Sequence, residues 1–304
     1  MEYILETHNL VKKYKHFTAI NNLNMHIPKG SIYGLIGKNG AGKTTLIRLI
    51  CGLQRPTSGT YSIYGISNEE RNITQARKRI GAIIESPSIC LDMTAEDNLK
   101  EQYKVVGLPS FDNLYDLLNL VGLQETGKKT TKHFSLGMKQ RLGIAIALVG
   151  NPDFLILDEP INGLDPEGII EIRELILKLN REKGITFLIS SHYLDELSKI
   201  ATCYGFIDKC KIVKEISSEE LEQNFKRRIE LNVSNIKECV NYLEECEISY
   251  KVISNERVDI YEKINVSELV IALSKRNCIV NEFQEKGESL ENYYLNLIGG
   301  ADNV

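Results

Sequence analysis

One stretch of this sequence has residue types and spacing suited to binding a polyphosphate. It reads Gly-Lys-Asn-Gly-Ala-Gly-Lys-Thr-Thr, with four free positions between a glycine and a glycine-lysine-threonine group. Glycines let backbone N–H groups approach phosphate oxygens closely. We expect Lys43 to supply a cation to the terminal phosphates of a nucleotide, and the Thr44 hydroxyl to ligate Mg²⁺. The predicted nucleotide-binding residues of this phosphate-binding loop are Gly37, Lys38, Asn39, Gly40, Ala41, Gly42, Lys43, Thr44 and Thr45.

The segments on either side of the phosphate-binding loop support this interpretation. The apolar run 32–36 precedes it and is typical of a buried strand, and 45–50 has a helical pattern. The alternative is an ordinary glycine-rich turn before a helix. Strand, loop and helix in this order favour a phosphate site, because a helix N-terminus adds partial positive charge to a bound anion.

Acidic and basic side chains follow two further apolar strands. The run 154–157 leads into Asp158 and Glu159, and the run 186–191 leads into His192. Asp158 is a candidate Mg²⁺ ligand, Glu159 a candidate base for an attacking water, and His192 a candidate contact to the terminal phosphate or that water. Paired acids can also form a solvated turn, and a lone histidine can be structural. Their presence behind a phosphate-binding loop favours catalysis.

The segments between these strands predict an α/β core. A helical pattern over 168–181 separates the two strands, and strand-helix-strand order with buried strands predicts a parallel sheet. Ligands of such sheets bind beyond the carboxyl ends of the strands. We therefore expect Lys43, Asp158, Glu159 and His192 to converge at one edge of the sheet. Near the N-terminus, 3–11 and 22–27 read as paired strands.

The pattern divides the chain into two predicted domains. Residues 1–219 form the α/β domain, with a helical insertion at about 88–150, and residues 220–304 form a small α+β module. The module has β-α-β-β-α-β order, with helical patterns at 236–245 and 266–275, which predicts a ferredoxin-like fold. A last helix is predicted over 289–298. This module has no catalytic group of residues, so interaction or regulation is its expected role.

Composition narrows the class of protein. The 304 residues are 42% hydrophobic and 26% charged, with a net charge of −4 and no long basic run, which argues against nucleic acid as the main partner. No apolar run reaches the roughly 18 residues of a membrane span, and the start lacks a signal-peptide pattern, so we expect a cytoplasmic protein. The seven cysteines contain no C-x-x-C pair and are interpreted as reduced thiols. A zinc or redox role is not expected for Cys203 with Cys210 or for Cys239 with Cys246. No His or further Cys nearby in the sequence would complete a tetrahedral site with either pair.

Two further motifs and two single residues resemble those of a known family. The signature segment, Phe134–Arg141, is similar to the LSGGQ signature of ABC transporter nucleotide-binding subunits and keeps Ser135 and Gly137. Asn162–Asp165 resembles the D-loop of that family, Tyr14 its adenine-stacking aromatic residue, and His192 its switch histidine. The resemblance covers residues 1–214. It implies a P-loop NTPase core of the ABC type, with a helical subdomain, that binds and hydrolyses ATP with Mg²⁺.

The same resemblance implies partners. In that family two copies pair head to tail, so Ser135, Gly137 and Asp165 of one copy would help enclose the ATP of the other. A helix predicted over 139–149 would point its N-terminus at that nucleotide. A separate integral membrane permease is also implied, which places the chain peripherally on the inner face of the cell membrane.

The sequence departs from the family pattern at two places. Phe134, Leu136 and Met138 replace signature residues, and Glu85 stands where the family usually has a glutamine. Glu85 can still ligate Mg²⁺ through water, or it can be a neutral substitution. Together with the small module, these features are similar to the bacitracin-resistance and lantibiotic-immunity subgroup, which implies export of a peptide antibiotic. Sodium and other drug exporters share much of this pattern.

Two other classes of function fit the sequence less well. A soluble ABC ATPase acting on ribosomes or nucleic acid would resemble proteins with two cassettes or a long coiled coil. This chain has one phosphate-binding loop and no long heptad run. A nucleotide-binding regulator that does not hydrolyse ATP is disfavoured by Lys43, Asp158, Glu159 and His192.

Overall fold

A computed structural model describes residues 2–224, 228–262, 264–286 and 290–299. The chain forms two compact units, Met1–Ser218 and Glu219–Val304. Each unit has its own sheet or sheets and its own apolar core. Among the residues described, no helix is both long and apolar enough to cross a bilayer.

The first unit alternates strands and helices along most of its length. In chain order its elements are β1 (Tyr3–Tyr14), β2 (Phe17–Pro28), β3 (Ile32–Ile36), α1 (Lys43–Ile50), β4 (Ser58–Ile63), β5 (Ile66–Ser67), α2 (Ile73–Arg77), β6 (Ile80–Ile83), α3 (Ala95–Val106), α4 (Leu114–Leu120), α5 (Leu136–Leu148), β7 (Phe154–Asp158), α6 (Pro166–Lys183), β8 (Thr186–Ser191), α7 (Leu194–Ser198), β9 (Cys203–Asp208) and β10 (Lys211–Ser217). Helix α8 (Ser218–Asn224) follows and, after its first residue, belongs to the second unit. Short 3-10 helices at Gln124–Thr126 and Thr131–His133 lie between α4 and α5.

The central sheet of the first unit is mainly parallel. Its strand order is β10-β9-β3-β8-β7-β6, with β9, β3, β8, β7 and β6 mutually parallel and β10 antiparallel at one edge. Every residue of β3, β7 and β8 is buried, as expected for strands covered on both faces. The parallel sheet predicted from the sequence is therefore confirmed, and the ends of β3, β7 and β8 lie side by side.

A second, antiparallel sheet has the order β2-β1-β4-β5. The predicted pairing of its first two strands is confirmed, with Leu5 opposite Ile27 and Leu10 opposite Leu23. These four side chains are fully buried and share one core cluster with Leu46 and Ile47 of α1. This sheet thus supports the helix that follows the phosphate-binding loop.

Helices α3, α4 and α5 fill the segment between β6 and β7. Thr94 caps α3 by accepting a hydrogen bond from the Asp97 N–H, and Gly107 ends the helix in the left-handed conformation. Helix α5 begins at Leu136, earlier than the predicted start at Lys139. The reason is that Ser135 caps it by accepting from the Met138 N–H at 3.2 Å.

The second unit has the predicted ferredoxin-like element order. Its elements are β11 (Arg228–Val233), α9 (Ile236–Glu245), β12 (Tyr250–Val252), β13 (Arg257–Ile260), α10 (Val266–Lys275), β14 (Val280–Lys286) and α11 (Leu290–Gly299). The sheet is antiparallel, in the order β12-β13-β11-β14. Its core includes Leu231, Val258, Leu243 and Leu273. The last helix was predicted from Ser289, which lies outside the described residues.

Candidate active site

Two glycines of the phosphate-binding loop are required by their neighbours. A Cβ added to Gly37 would lie 2.6 Å from the carbonyl oxygen of Ile207, and one added to Gly42 would lie 2.4 Å from that of Ala19. Gly42 also has a φ of 109°, which favours glycine. It is the N-cap residue of α1 and brings no side chain to the first N–H groups of that helix. The loop therefore presents backbone donors and a helix N-terminus, a combination suited to an anion.

Lys43 is a buried cation with two partners. Its side chain is 6% exposed, and Nζ donates a hydrogen bond of 2.7 Å to the carbonyl oxygen of Gly37. Nζ also lies 3.5 Å from Oε1 of Glu159. The structure therefore brings together the loop lysine and the second of the paired acids, as the sequence predicted.

Asp158 is held at the end of β7 by two hydroxyl groups. It is 2% exposed, and its Oδ2 accepts a hydrogen bond of 2.8 Å from Thr44 Oγ1. Its Oδ1 accepts from Ser190 Oγ. Sequence reasoning did not include Ser190 among the site residues. The available signal in the sequence was its place in the hydroxyl pair Ser190-Ser191, directly before His192 at the end of an apolar strand.

Glu159 lies between Lys43 and His192. Its Oε2 is 2.7 Å from His192 Nδ1, and its backbone N–H donates to the carbonyl oxygen of Ser190 at 3.1 Å. An ionised carboxylate only accepts hydrogen bonds, so the Nδ1 of His192 carries the hydrogen. Glu159 has a φ of 53°, a left-handed conformation that costs a non-glycine residue about 1–2 kcal/mol. The turn thus orients this carboxylate toward Lys43 and His192, and the backbone conformation that does so is energetically unfavourable.

The aromatic ring of Tyr14 lies at the end of β1. It is 36% exposed and stacks on Phe17 with ring centroids 5.1 Å apart and an interplanar angle of 23°. The Tyr14 hydroxyl donates to Gln54 Oε1 at 2.6 Å. An exposed aromatic face fixed in this way is suited to stacking on a nucleobase, so the predicted role of Tyr14 remains a prediction with compatible geometry.

Three further predicted site residues lie at helix N-termini. Ser135 caps α5, and Asp165 caps α6 by accepting a hydrogen bond of 3.2 Å from the Gly168 N–H. Gly137 is buried in the first turn of α5, where a Cβ would lie 3.8 Å from Gly168 Cα. The structure therefore gives Ser135 and Asp165 capping contacts. Their roles toward a nucleotide stay predictions.

Glu85 forms an ion pair at the end of β6. Its Oε1 lies 2.6 Å from an Nη of Arg48, which belongs to α1. The Glu85 side chain is 63% exposed and its φ is 64°. Sequence reasoning placed Glu85 near Mg²⁺ but did not find Arg48, because nothing in the local pattern pairs residues 37 positions apart. Its role as a water-mediated metal ligand remains a prediction.

A groove of about 960 Å³ runs beside this ion pair. Arg48, Glu85, Leu53, Val105 and Val106 line it. Leu53 is 66% exposed and Val105 79% exposed. Exposed apolar side chains next to charged ones are typical of a surface that binds another protein segment.

The cysteines are free thiols, as expected for a reduced protein. Burial raises the pKa of Cys51 and of Cys239 to about 12, so both stay protonated near neutral pH. Over the described ranges, no group of three or more His, Cys, Asp or Glu residues could hold a metal ion. A metal held at Thr44 and Asp158 would thus need ligands from a nucleotide and water.

Comparison with known proteins identifies the family. The ABC transporter family model matches residues 20–162. The chain is 40% identical to the bacitracin transport ATP-binding protein BcrA of Enterococcus faecalis, over 99% of this chain and 98% of that protein. It is 46% identical to the lantibiotic transport ATP-binding protein SrtF of Streptococcus pyogenes, over 74% of this chain and 97% of that protein.

Solved structures agree with this result. CbiO1 of Clostridium perfringens, described as part of the ABC transporter complex cbiONQ, superposes with a TM-score of 0.66 at 28% identity. The match covers 74% of this chain and 92% of CbiO1. The family model, the relatives and the fold all indicate the same family. The chain belongs to the ABC transporter family and is an ATP-binding ATPase of that family.

Proposed function

We propose that this chain hydrolyses ATP to drive export of a peptide antibiotic through a separate membrane permease. The observation that carries the proposal is the contact of Glu159 with both Lys43 and His192 at the carboxyl ends of the parallel strands. Lys43 would supply a cation to the phosphates, Glu159 would be the base, and His192 would orient the base.

ATP binding begins at the phosphate-binding loop. Backbone N–H groups of the loop and the N-terminus of α1 would surround the phosphates, and Lys43 would contact the terminal ones. Phosphate oxygens compete with Glu159 for Lys43, since both are anions within reach of the same ammonium group. Binding ATP therefore loosens Glu159 from Lys43 and leaves it with His192. The exposed ring of Tyr14 would stack on the adenine.

The donor set at Thr44 and Asp158 fits Mg²⁺. A hydroxyl and a carboxylate 2.8 Å apart are hard oxygen ligands, and Mg²⁺ in nucleotide sites is usually held by one or two such groups together with phosphates and waters. When bound, Mg²⁺ neutralises charge on the phosphates. Ser190 keeps Asp158 oriented, and Glu85 is the proposed additional contact through water.

Hydrolysis requires a water aligned with the terminal phosphate. Glu159 would orient this water and accept its proton, while the N–H at His192 Nδ1 holds the carboxylate in place. Nε2 of His192 remains for the water or the phosphate. Lys43, His192 and the backbone N–H groups of the loop stabilise the charge on the transferred phosphoryl group.

A second copy of the chain would complete the site. The solved bacterial ABC transporter cassette MJ0796, which this chain resembles, is described as dimeric. The N-terminus of α5, with Ser135 and Gly137, is a partial positive charge suited to the terminal phosphate bound by the other copy. Asp165 lies at the neighbouring end of α6. Closure on ATP and reopening after hydrolysis then form the working cycle.

The groove beside Glu85 is the proposed contact for the permease. Its exposed Leu53 and Val105 would bury apolar area, and Arg48 and Glu85 would fix the partner's orientation. Movement of α1 and β6 during the cycle would thus reach the permease. Through this proposed contact the chain would lie on the inner face of the cell membrane.

The relatives support a peptide antibiotic as substrate. The bacitracin transport relative aligns over 99% of this chain, so it includes the second unit. The alignment with the lantibiotic transport relative covers 97% of that protein but only 74% of this chain. That relative therefore has no counterpart for the remaining quarter of this chain. Export of bacitracin is therefore the first possibility to test, and export of a lantibiotic the second.

Growth inhibition tests this proposal. The chain and its permease are expressed together in a sensitive bacterium, which is challenged with bacitracin, a lantibiotic and an unrelated drug. We expect the inhibitory concentration of at least one peptide antibiotic to rise about four-fold or more. Lys43→Ala should abolish the increase. The substitution removes the ammonium group that would contact the phosphates and so weakens nucleotide binding by about two orders of magnitude.

Two results would contradict the proposal. Protection against the unrelated drug alone would contradict the peptide substrate. Protection that survives Lys43→Ala, with purified Lys43→Ala protein binding ATP as tightly as the unmodified chain, would contradict the role of the phosphate-binding loop.

A further inference from the structure

The segment after Glu159 contacts the start of α5. The Asn162 N–H donates to the carbonyl oxygen of Glu159 at 3.1 Å, and the Leu164 N–H donates to that of Ile161 at 3.3 Å. Two successive hydrogen-bonded turns therefore connect the catalytic carboxylate to Gly163 and Leu164. A displacement of Gly163 is carried to Glu159 through this short, bonded stretch.

Leu136 packs on this stretch. A Cβ built on Gly163 would lie 3.3 Å from Leu136 Cδ2, which means that the leucine methyl occupies the space a side chain at 163 would enter. Gly163 has a φ of 76°. In the other direction, a Cβ built on Gly137 would lie 4.0 Å from Leu164 Cδ2. The first turn of α5 and the D-loop thus interlock through Leu136 and Leu164.

Leu136 is not placed there to fill a buried core. Its side chain is 49% exposed, and it occupies the first position of α5 directly after the capping residue Ser135. Burial of half a leucine on a glycine surface contributes little to folding. The contact is therefore better explained by what it connects, namely the end of α5 that faces a nucleotide and the turn that carries Glu159.

We infer that Leu136 is a positioning residue that links the nucleotide-facing N-terminus of α5 to Glu159 of the same chain. When Ser135 and Gly137 engage the ATP of a second copy, the contact of Leu136 with Gly163 transmits the small shift of α5 to the turn at 159–162. Each closed copy would then set its own base at the moment it covers its partner's nucleotide. This inference rests on the proposed function, since it needs the head-to-tail dimer.

Steady-state ATPase assays on the full chain test the inference. Leu136→Ala keeps Ser135, Gly137 and Glu159 but removes the methyl groups over Gly163. We expect kcat to fall about three- to ten-fold with KM for ATP changed less than about two-fold, because binding at the phosphate-binding loop is untouched. Leu91→Ala is the matched control, since Leu91 is 48% exposed in the same unit, and its kcat should stay unchanged.

A double-mutant cycle separates contact from backbone strain. Gly163→Ala introduces a methyl 3.3 Å from Leu136 Cδ2 and also strains a left-handed backbone. In the double variant with Leu136→Ala the strain persists but the close contact is gone. We expect Gly163→Ala to lower kcat several-fold less in the Leu136→Ala background than in the unmodified chain. Thermal unfolding of each variant confirms that the proteins compared are folded.

The outcomes are distinguishable. Unchanged kcat in Leu136→Ala, or strictly additive effects in the cycle, would overturn the inference and leave the proposed function intact. Self-association of a Glu159→Gln background, measured by analytical ultracentrifugation with and without ATP and Mg²⁺, tests the dimer itself. Lack of ATP-dependent association there would overturn both the dimer and the inference.

Discussion

Both units of this molecule bury charged side chains, but they do so in different places. In the first unit Lys43 and Asp158 are buried at the carboxyl ends of parallel strands, where loops from several segments meet. In the second unit Glu230 and Asp259 are buried in the middle of antiparallel strands, directly opposite each other. Arg257 forms ion pairs with both of them.

The position of a buried carboxylate in its sheet helps to distinguish a catalytic from a structural role. A carboxylate at a strand end is open to a ligand beyond the sheet, and Glu159 follows such an end and contacts a cation and a histidine from two other segments. Carboxylates that share one arginine within a sheet, as Glu230 and Asp259 share Arg257, have their charge compensated inside the fold. We therefore expect the chemistry in the first unit, and partner binding or regulation remains the prediction for the second. Substitutions and a truncation in the two units test this difference.

Glu159→Gln should have the largest effect. The substitution removes the proposed base, and such groups contribute about 10²- to 10⁴-fold to rate. We expect phosphate release to fall at least about 100-fold while ATP binding persists or tightens, because Lys43 loses a competing anion 3.5 Å away. Phosphate-release kinetics and nucleotide titration measure the two quantities.

Glu230→Gln is the matched control in the second unit, since it makes the same chemical change at a buried, cation-paired carboxylate. It should lower the melting temperature and leave ATPase activity within about two-fold. Undiminished turnover in Glu159→Gln would contradict its assignment as the base. A comparable loss of turnover in folded Glu230→Gln would show that the second unit takes part in the chemistry.

Truncation after Asn224 should have an intermediate effect that depends on the assay. This end point retains α8, in which Leu221 is buried. We expect ATPase activity within about three-fold of the full chain, because every predicted catalytic residue lies before residue 224. Antibiotic protection should fall markedly if the second unit serves export. Loss of ATPase activity in a folded truncated chain would contradict the division of roles.

Glu85→Gln should have the smallest effect on the isolated chain. The Arg48 and Glu85 side chains are 36% and 63% exposed, and exposed ion pairs contribute about 0–1 kcal/mol. We expect ATPase activity to change less than about two-fold and antibiotic protection to shift about two- to four-fold. Arg48→Gln in the Glu85→Gln background should add little, since the pair is already broken. Unchanged protection would show that this carboxylate is incidental.

Much of the fold could be predicted because local signals were strong. The helices predicted at 236–245 and 266–275 match α9 and α10, and Asn235 and Asn265 cap them with side-chain acceptors. The strands that end at Asp158 and Ser191 were legible as buried apolar runs of parallel-sheet type. The start of α5 was predicted too late, because the capping role of Ser135 was not used.

Contacts between distant segments could not be predicted. The hydrogen bond of Ser190 to Asp158 depends on the register of β7 and β8, and the pairing of Arg48 with Glu85 depends on how α1 lies beside β6. Packing of Leu136 on Gly163 likewise follows from tertiary structure. Sequence spacing identified the residue types, while the sheet determined which of them meet.

The left-handed backbone at Glu159 has an evolutionary consequence. Residue preferences alone favour a glycine or asparagine at that φ, so a glutamate there lowers stability. With Glu159 as the proposed base, the position exchanges stability for activity. A descendant of this protein released from selection for hydrolysis would be expected to gain stability by substitution there.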